Sequence, residues 1–241
     1  MNIKKIVDII IKTNDGYPAK TFNEKGKAYT CLNPYGYHFL RENHTLFEQM
    51  DGLFVDGMIM AKLVSWYNGH SIRRLSFDMT GMAVDLFERL SNNDETIYFI
   101  GAKQEEVEKA VNVIMKSYPN IHILGFKNGY FENEEAKKKA CEEIISLNPN
   151  FVIIGMGTPR QEEFSLKLKN AGYKGISFTC GGFLHQTTNK MDYYPKWVNK
   201  MNLRAFYRLT HEKNMVQRLI YVLFHFPIVF TWDTIVTKLS K

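Results

Sequence analysis

A chain of 241 residues, 45% hydrophobic and 23% charged, has enough apolar material for one large α/β domain or a domain with an appendage. Its formal net charge of +6 favours anionic partners such as nucleotide phosphates, lipid diphosphates or an anionic membrane face. Cys31, Cys141 and Cys180 lie too far apart for a CxxC or zinc spacing, and no uninterrupted run of about eighteen apolar residues marks a spanning helix.

The opening "MNIKKIVDIIIKTNDGY" has a basic start and an apolar patch. Asp8 interrupts the patch and no small-residue cleavage site follows, so it is not read as a signal peptide. "AYTCL" predicts a strand leading to a polar-aromatic helix, and "LFV" leads through Asp56-Gly57 into the helical "MIMAKLVSWY". "TIYFI" ends at Gly101, and the helix after it puts Val107, Ala110, Val111 and Ile114 on one face. "IHIL" ends at Gly125, before a helix with Ala136, Ala140 and Ile144 one turn apart. "FVII" ends at Gly155 and "ISFT" near Gly181-Gly182. Apolar strands alternating with amphipathic helices predict an α/β, Rossmann-like, mostly parallel sheet with helices on both faces, over residues 1–194. From Pro195 the strand punctuation stops. Residues 195–241 read as a helical, basic and aromatic appendage.

The stretch "VIIGMGTPRQEEF" is the first candidate site. Gly155 and Gly157 let the backbone approach a ligand closely, and helix N-terminal amides attract phosphate. Pro159 suits a first helical turn, Arg160 adds charge, and Gln161 offers an amide to a uracil or sugar edge. A tight strand–helix turn, with Glu162 complementing the helix dipole, explains the same residues. Asp56, at a strand end, suits a general base, or else the cap of the helix beginning near Met58. Asn33 in "CLNPYGYH" is a contact or a turn residue before Pro34. His185 in "GGFLHQTT" either lines the site or is a hydrogen-bonded histidine.

No histidine spacing suggests a metal, and neither GxxxxGK[ST] nor GxGxxG occurs. Asp-x-Asp is absent too. A nucleotide-sugar enzyme without that pair needs other positive charge for the departing diphosphate, for which Arg74, Arg204, Arg208 and Arg218 are candidates. Residues 219–236, "LIYVLFHFPIVFTWDTIV", are strongly apolar, with basic residues on either side. They suit an in-plane interfacial helix, or a helix packed on the core or in an oligomer interface.

Taken together, "LFVDGM", "YFIGAKQEEVEKAV", "YPNIHILGFKNGYF", "NPNFVIIGMGTPRQEEF", "GGFLHQTTNKMDYYPKWV" and "LRAFYRL" resemble the WecG/TagA/CpsF family, glycosyltransferase family 26, over about residues 28–228. The resemblance implies a Rossmann-like, inverting, metal-independent and cofactor-free glycosyltransferase. Its donor would be a UDP-sugar, often UDP-N-acetylmannosamine, and its acceptor a sugar on a polyprenyl diphosphate, in the synthesis of teichoic acid, common antigen or capsule. It implies Asp56 as catalytic base, Asn33 and Gln161 as sugar or nucleotide contacts, Arg74 near the diphosphate, and Arg208 and Arg218 from the appendage near the β-phosphate. The implied location is cytoplasmic, peripheral on the inner membrane face, with homo-oligomerisation open and no nucleic-acid partner. Four positions depart from the family's pattern: Cys31 stands for the usual threonine of Thr-x-Asn, His185 lies near a usual aspartate, Met215 stands for a further arginine, and Leu203-Arg204-Ala205 replaces Leu-Glu-Trp. Two other readings stay open, a nicotinamide-dependent oxidoreductase on a similar fold and a non-catalytic basic membrane-binding module.

Overall fold

The computed structural model describes residues 2–201, 203–211 and 215–240. The side chains of Lys196, Asn199, Ala205, Phe206, Arg208, His211 and Met215 fall outside this description, as does Lys213. The first half runs α1 (Ile3–Gly16), α2 (Ala19–Asn23), β1 (Ala28–Leu32), α3 (Gly36–Glu42), α4 (His44–Glu48), β2 (Gly52–Val55), α5 (Met58–Asn68) and α6 (Met82–Asn92). Then come β3 (Thr96–Gly101), α7 (Gln104–Ser117), β4 (His122–Lys127), α8 (Glu134–Leu147), β5 (Phe151–Gly155), α9 (Arg160–Asn170), β6 (Ile176–Thr179) and α10 (Phe183–Gln186). The remainder is helical: α11 (Lys196–Lys200), α12 (Arg204–His211), α13 (Met215–Ile220), a π-helical turn (Tyr221–His225) and α14 (Phe226–Leu239).

The strands form one sheet in the order β2-β1-β6-β5-β3-β4, and every pairing is parallel. Alternate residues serve opposite faces, as a strand's period of two requires. Tyr29, Phe54, Phe99, Phe151 and Phe178 pack under α6, α7 and α10. On the other face Ala28, Leu32, Leu53 and Val55 pack against α1, α3, α5 and α14, while Tyr98, Ile100, Val152 and Ile154 meet α8 and α9. This two-sided burial is why the strands read as unbroken apolar runs.

One element has no counterpart in the sequence reading and another differs from it. The opening apolar patch is a full helix: Ile3, Ile6, Val7 and Ile10 are buried, while Asp8 points outward from the same helix. β4 does not stop at Gly125 but runs through it to Lys127, and a Cβ at Gly125 would sit 2.7 Å from the Tyr98 ring. That glycine makes room for a neighbour's side chain instead of ending the strand.

β3 leads outward to β4 through α7 on one face, and β5 leads the other way to β6 through α9 on the opposite face. Gly101 and Gly155, paired in register, therefore stand where the winding direction reverses. In sheets of this type ligands bind at that crevice.

Candidate active site

Asp56 follows β2 directly, its N–H continuing the ladder to Leu32 C=O at 2.9 Å. It does not cap α5. The N-cap is Gly57, at φ 103°, and the Asp56 carboxylate instead meets Arg74, with Nε 3.2 Å and Nη2 3.1 Å from Oδ1. Arg74 reaches on to Ser76 Oγ at 2.6 Å and Asp78 Oδ2 at 2.9 Å. Asp78 is fixed by its own loop, since Thr80 donates to its Oδ1 from N at 2.8 Å and from Oγ1 at 2.6 Å. From α12, Arg204 donates to Asp78 Oδ2 at 3.0 Å and to Thr80 Oγ1 at 2.6 Å, and its guanidinium lies 5.2 Å from the Tyr194 ring centre.

The result is a half-buried ladder of alternating charge, Asp56–Arg74–Asp78–Arg204, that ties the helical C-terminal part to the strand ends. Burial alone would raise the Asp78 carboxyl, but Arg74, Ser76, Thr80 and Arg204 outweigh it and hold the group below the usual aspartate range. Burial also works against the Arg74 charge, and Asp56 and Asp78 more than compensate. A small cleft adjoins the ladder, lined by Asp78, Thr80, Phe183, Gln186, Met191 and Tyr193.

The Gly155–Gln161 turn lies at the reversal point. A Cβ on Gly155 would come within 2.9 Å of Cys180 Sγ, so this glycine allows the β5 and β6 ends to close on each other. Gly157 is exposed at φ 73°, a conformation that favours glycine. Pro159 is the N-cap of α9, one residue before the first turn. Gln161 is buried: Nε2 donates to Glu162 Oε1 at 2.9 Å, and Oε1 accepts from Gly181 N at 3.2 Å. It therefore braces two turns against each other. Arg160 is exposed, 6.0 Å from the Tyr130 ring.

The other predicted residues lie around this edge. Asn33 follows β1, exposed, and its Oδ1 accepts from Gly36 N at 2.7 Å, the geometry of a turn residue. Arg218, from α13, stands 4.8 Å over the Tyr35 ring just beyond it. His185 is turned away toward α7, its Nδ1 2.7 Å from Glu106 Oε1. Arg208 belongs to α12 and its side chain lies outside the described residues. So the structure joins Asp56 to Arg74 directly and places Gly155, Gly157 and Gln161 together, while His185 and Arg160 have partners elsewhere. Among the described residues, no three His, Cys, Asp or Glu side chains gather as metal ligands would.

Asp78, Thr30, Thr179 and the inward turn of Glu162 were not singled out from sequence. The available signal was polar residues in two strands that are otherwise apolar, Thr30 in "AYTCL" and Ser177 and Thr179 in "ISFT".

This geometry can be set beside known proteins. Residues 18–239 match the profile of the Glycosyl transferase WecG/TagA/CpsF family. The chain belongs to this family. Among relatives, a UDP-Gal:alpha-D-GlcNAc-diphosphoundecaprenol beta-1,4-galactosyltransferase of Shigella boydii is 36% identical over 189 residues, covering 78% of this chain and 79% of the relative. An N-acetylglucosaminyldiphosphoundecaprenol N-acetyl-beta-D-mannosaminyltransferase of Bacillus subtilis (strain 168) is 30% identical over 129 residues, 52% of this chain and 49% of the relative. The enzyme of the same name from Staphylococcus aureus (strain MW2) is 27% identical over 127 residues, and the match again spans about half of each chain. The protein is thus a glycosyltransferase on a Rossmann-like parallel sheet.

Proposed function

We propose that this glycosyltransferase moves a hexose from a UDP-sugar to an N-acetylglucosamine carried on a polyprenyl diphosphate, with inversion and without a metal. The observation that carries this reading is the Asp56–Arg74–Asp78–Arg204 ladder, which sets a carboxylate beside fixed guanidiniums at a sheet's ligand-binding edge. Asp56 takes the proton of the acceptor hydroxyl, which attacks the anomeric carbon from the side opposite UDP. The departing diphosphate gains charge as the bond breaks, and Arg74, with Arg204 and Arg218 from the helical part, neutralises it. Residues Asn33, Gly155 and Gly157 line the approach, and Gln161 braces it.

For the donor, UDP-galactose ranks ahead of UDP-N-acetylmannosamine, because the galactosyltransferase likeness is both higher and spread over more of the chain. The test is UDP release from UDP-galactose, UDP-N-acetylmannosamine and UDP-N-acetylglucosamine, with and without a short-chain N-acetylglucosaminyl diphospholipid, in EDTA. Acceptor-dependent release with UDP-galactose is expected. Dependence on added divalent cation would overturn the metal-free reading, and release from another donor would reassign the sugar.

The acceptor's lipid implies a membrane surface, and the last helices offer one. Val216–Leu239 is long and apolar enough to cross a bilayer by length and composition. One face is nevertheless docked on the protein through Phe226 and Phe230, and the opposite side exposes Val216, Ile220, Phe224, Ile228 and Trp232 at a spacing of four residues. A helix anchored on one side and apolar on the other lies in the plane of the interface. The proposed location is therefore peripheral, on the cytoplasmic face. Replacing Ile228 and Trp232 together by glutamate should weaken sedimentation with phosphatidylglycerol-containing vesicles at least about tenfold. The thermal midpoint should stay unchanged, since both side chains are exposed. Undiminished vesicle binding would move the contact surface elsewhere.

A further inference from the structure

Between the two apolar clusters on the α9 face of the sheet lies a polar seam. β1 contributes Thr30, β6 contributes Ser177 and Thr179, and α9 faces them with Glu162 and Ser165. All five are buried. Thr30 and Thr179 share a hydrogen bond at 2.6 Å, and Ser165 and Ser177 another at 2.7 Å. Glu162 is completely enclosed, with 0% of its surface exposed. Its Oε1 accepts from Thr30 Oγ1 at 2.7 Å and Gln161 Nε2 at 2.9 Å, with Thr158 Oγ1 at 3.4 Å, while Oε2 has no partner among the described residues.

A carboxyl in such a place costs stability relative to a leucine unless hydrogen bonds offset it, and Oε2 makes none among the described residues. We propose that Glu162 is a positioning residue: from inside the seam it fixes Gln161 and, through Gln161, the Gly181 amide, setting the spacing of the two turns that take the donor's nucleotide. It does so as a neutral acid. The groups facing it are the hydroxyls of Thr30, Thr158 and Thr179 and the amide of Gln161, and none of them carries a charge. The thiols of Cys31, on β1, and Cys180, just after β6, pack with the cluster on the other face. With no cation among the described groups facing it, burial pushes the Glu162 carboxyl above the usual range, against the smaller opposing effect of its hydrogen bonds. The nucleotide assignment rests on the proposed function, but the bracing of the turns does not.

The test compares wild type with Glu162→Gln and Glu162→Leu. Glutamine keeps an acceptor at Oε1 and a donor in place of the acid proton. Leucine fills the space and abandons Gln161. In Glu162→Leu the KM for the UDP-sugar should rise about tenfold while kcat stays within about threefold, the mark of a lost buried hydrogen-bond partner at a binding surface. A role confined to stability would lower the active fraction and leave KM alone. Amide exchange at residues 156–158 and 180–182 should quicken by about tenfold in the same variant.

Glu162→Gln should keep KM within about twofold, because the neutral amide replaces a neutral acid. The stability sign follows from the raised folded-state value. Below the ordinary glutamate range both states are protonated; as pH rises past that range the unfolded chain ionises first, and stability falls until pH passes the folded value. The Gln variant should therefore match wild type below the ordinary glutamate range and unfold at an increasingly higher temperature than wild type as pH rises above it. Unchanged KM and exchange in Glu162→Leu would overturn the proposal. So would a Gln variant as impaired as the Leu variant, since an ionised carboxylate would then be what matters. Should wild type release UDP from no donor, the functional reading fails, and amide exchange with the pH-dependent unfolding still decides the role of Glu162.

Discussion

Asp56→Asn should lower turnover by about a thousandfold, within the range a general base contributes, while leaving the protein folded and its KM for the UDP-sugar close to wild type. The reason is local. An asparagine retains an oxygen to accept from Arg74, whose Nε and Nη2 now lie 3.2 and 3.1 Å from Asp56 Oδ1, so the ladder stays assembled. What the variant loses is a site for the acceptor's proton. Single-turnover UDP release with saturating donor and lipid-linked acceptor would read the chemical step, and circular dichroism would confirm the fold. Full turnover in this variant would mean that another group takes the proton. Arg74→Ala would separate the roles further. It leaves Asp56 and Asp78 without the guanidinium between them, so both kcat and KM should worsen, with the loss in KM larger than for Asp56→Asn.

The sheet was legible because each strand is buried on both faces and so appears as an apolar run with a glycine or polar stop. β1, for example, coincides with "AYTCL". The rule weakened where burial was one-sided or interrupted. β4 is an edge strand with exposed and half-buried residues, so "IHIL" marked it without its end at Lys127, and α1 carries Asp8 on its outer face within an otherwise apolar patch. At the site, chemistry pointed to single residues but not to their partners. Arg74 and Arg204 were candidates as lone charges. Their meeting at Asp78 spans 126 positions between Asp78 and Arg204, and no local pattern records that. Gln161 shows the limit most sharply. Its place at a helix start suggested a ligand contact, yet the rotation of the first turn of α9 sends both Gln161 and Glu162 inward. The sequence names the amide and the acid; only the packing of β1, β6 and α9 decides which way they face.

Phe226→Ala should destabilise the protein by about 3–5 kcal/mol, as expected for truncating a fully enclosed aromatic side chain. In a chain of this size that corresponds to a fall of roughly 10 °C in the thermal midpoint, measured by calorimetry or circular dichroism without any membrane. Phe226 and Phe230 are both at 0% exposure, and they share a cluster with Ile3, Ile6 and Tyr37. Their rings stand 5.3 and 5.6 Å from that of Tyr37. Next to them, Asp233 accepts from Tyr37 Oη at 2.8 Å and pairs with Arg41 Nε at 2.9 Å, which fixes the rotation of α14 about its axis. That rotation separates two functions along one apolar segment. Side chains at 226 and 230 complete the core under α1, while those at 228 and 232 look outward. A helix that inserted independently of the protein would make both sets respond to lipid and neither to folding. If Phe226→Ala left the midpoint unchanged, α14 would not be part of the folded core. A large fall, beside an unchanged midpoint for the glutamate pair at 228 and 232, is the result that a helix built into the core and exposed on its far side requires.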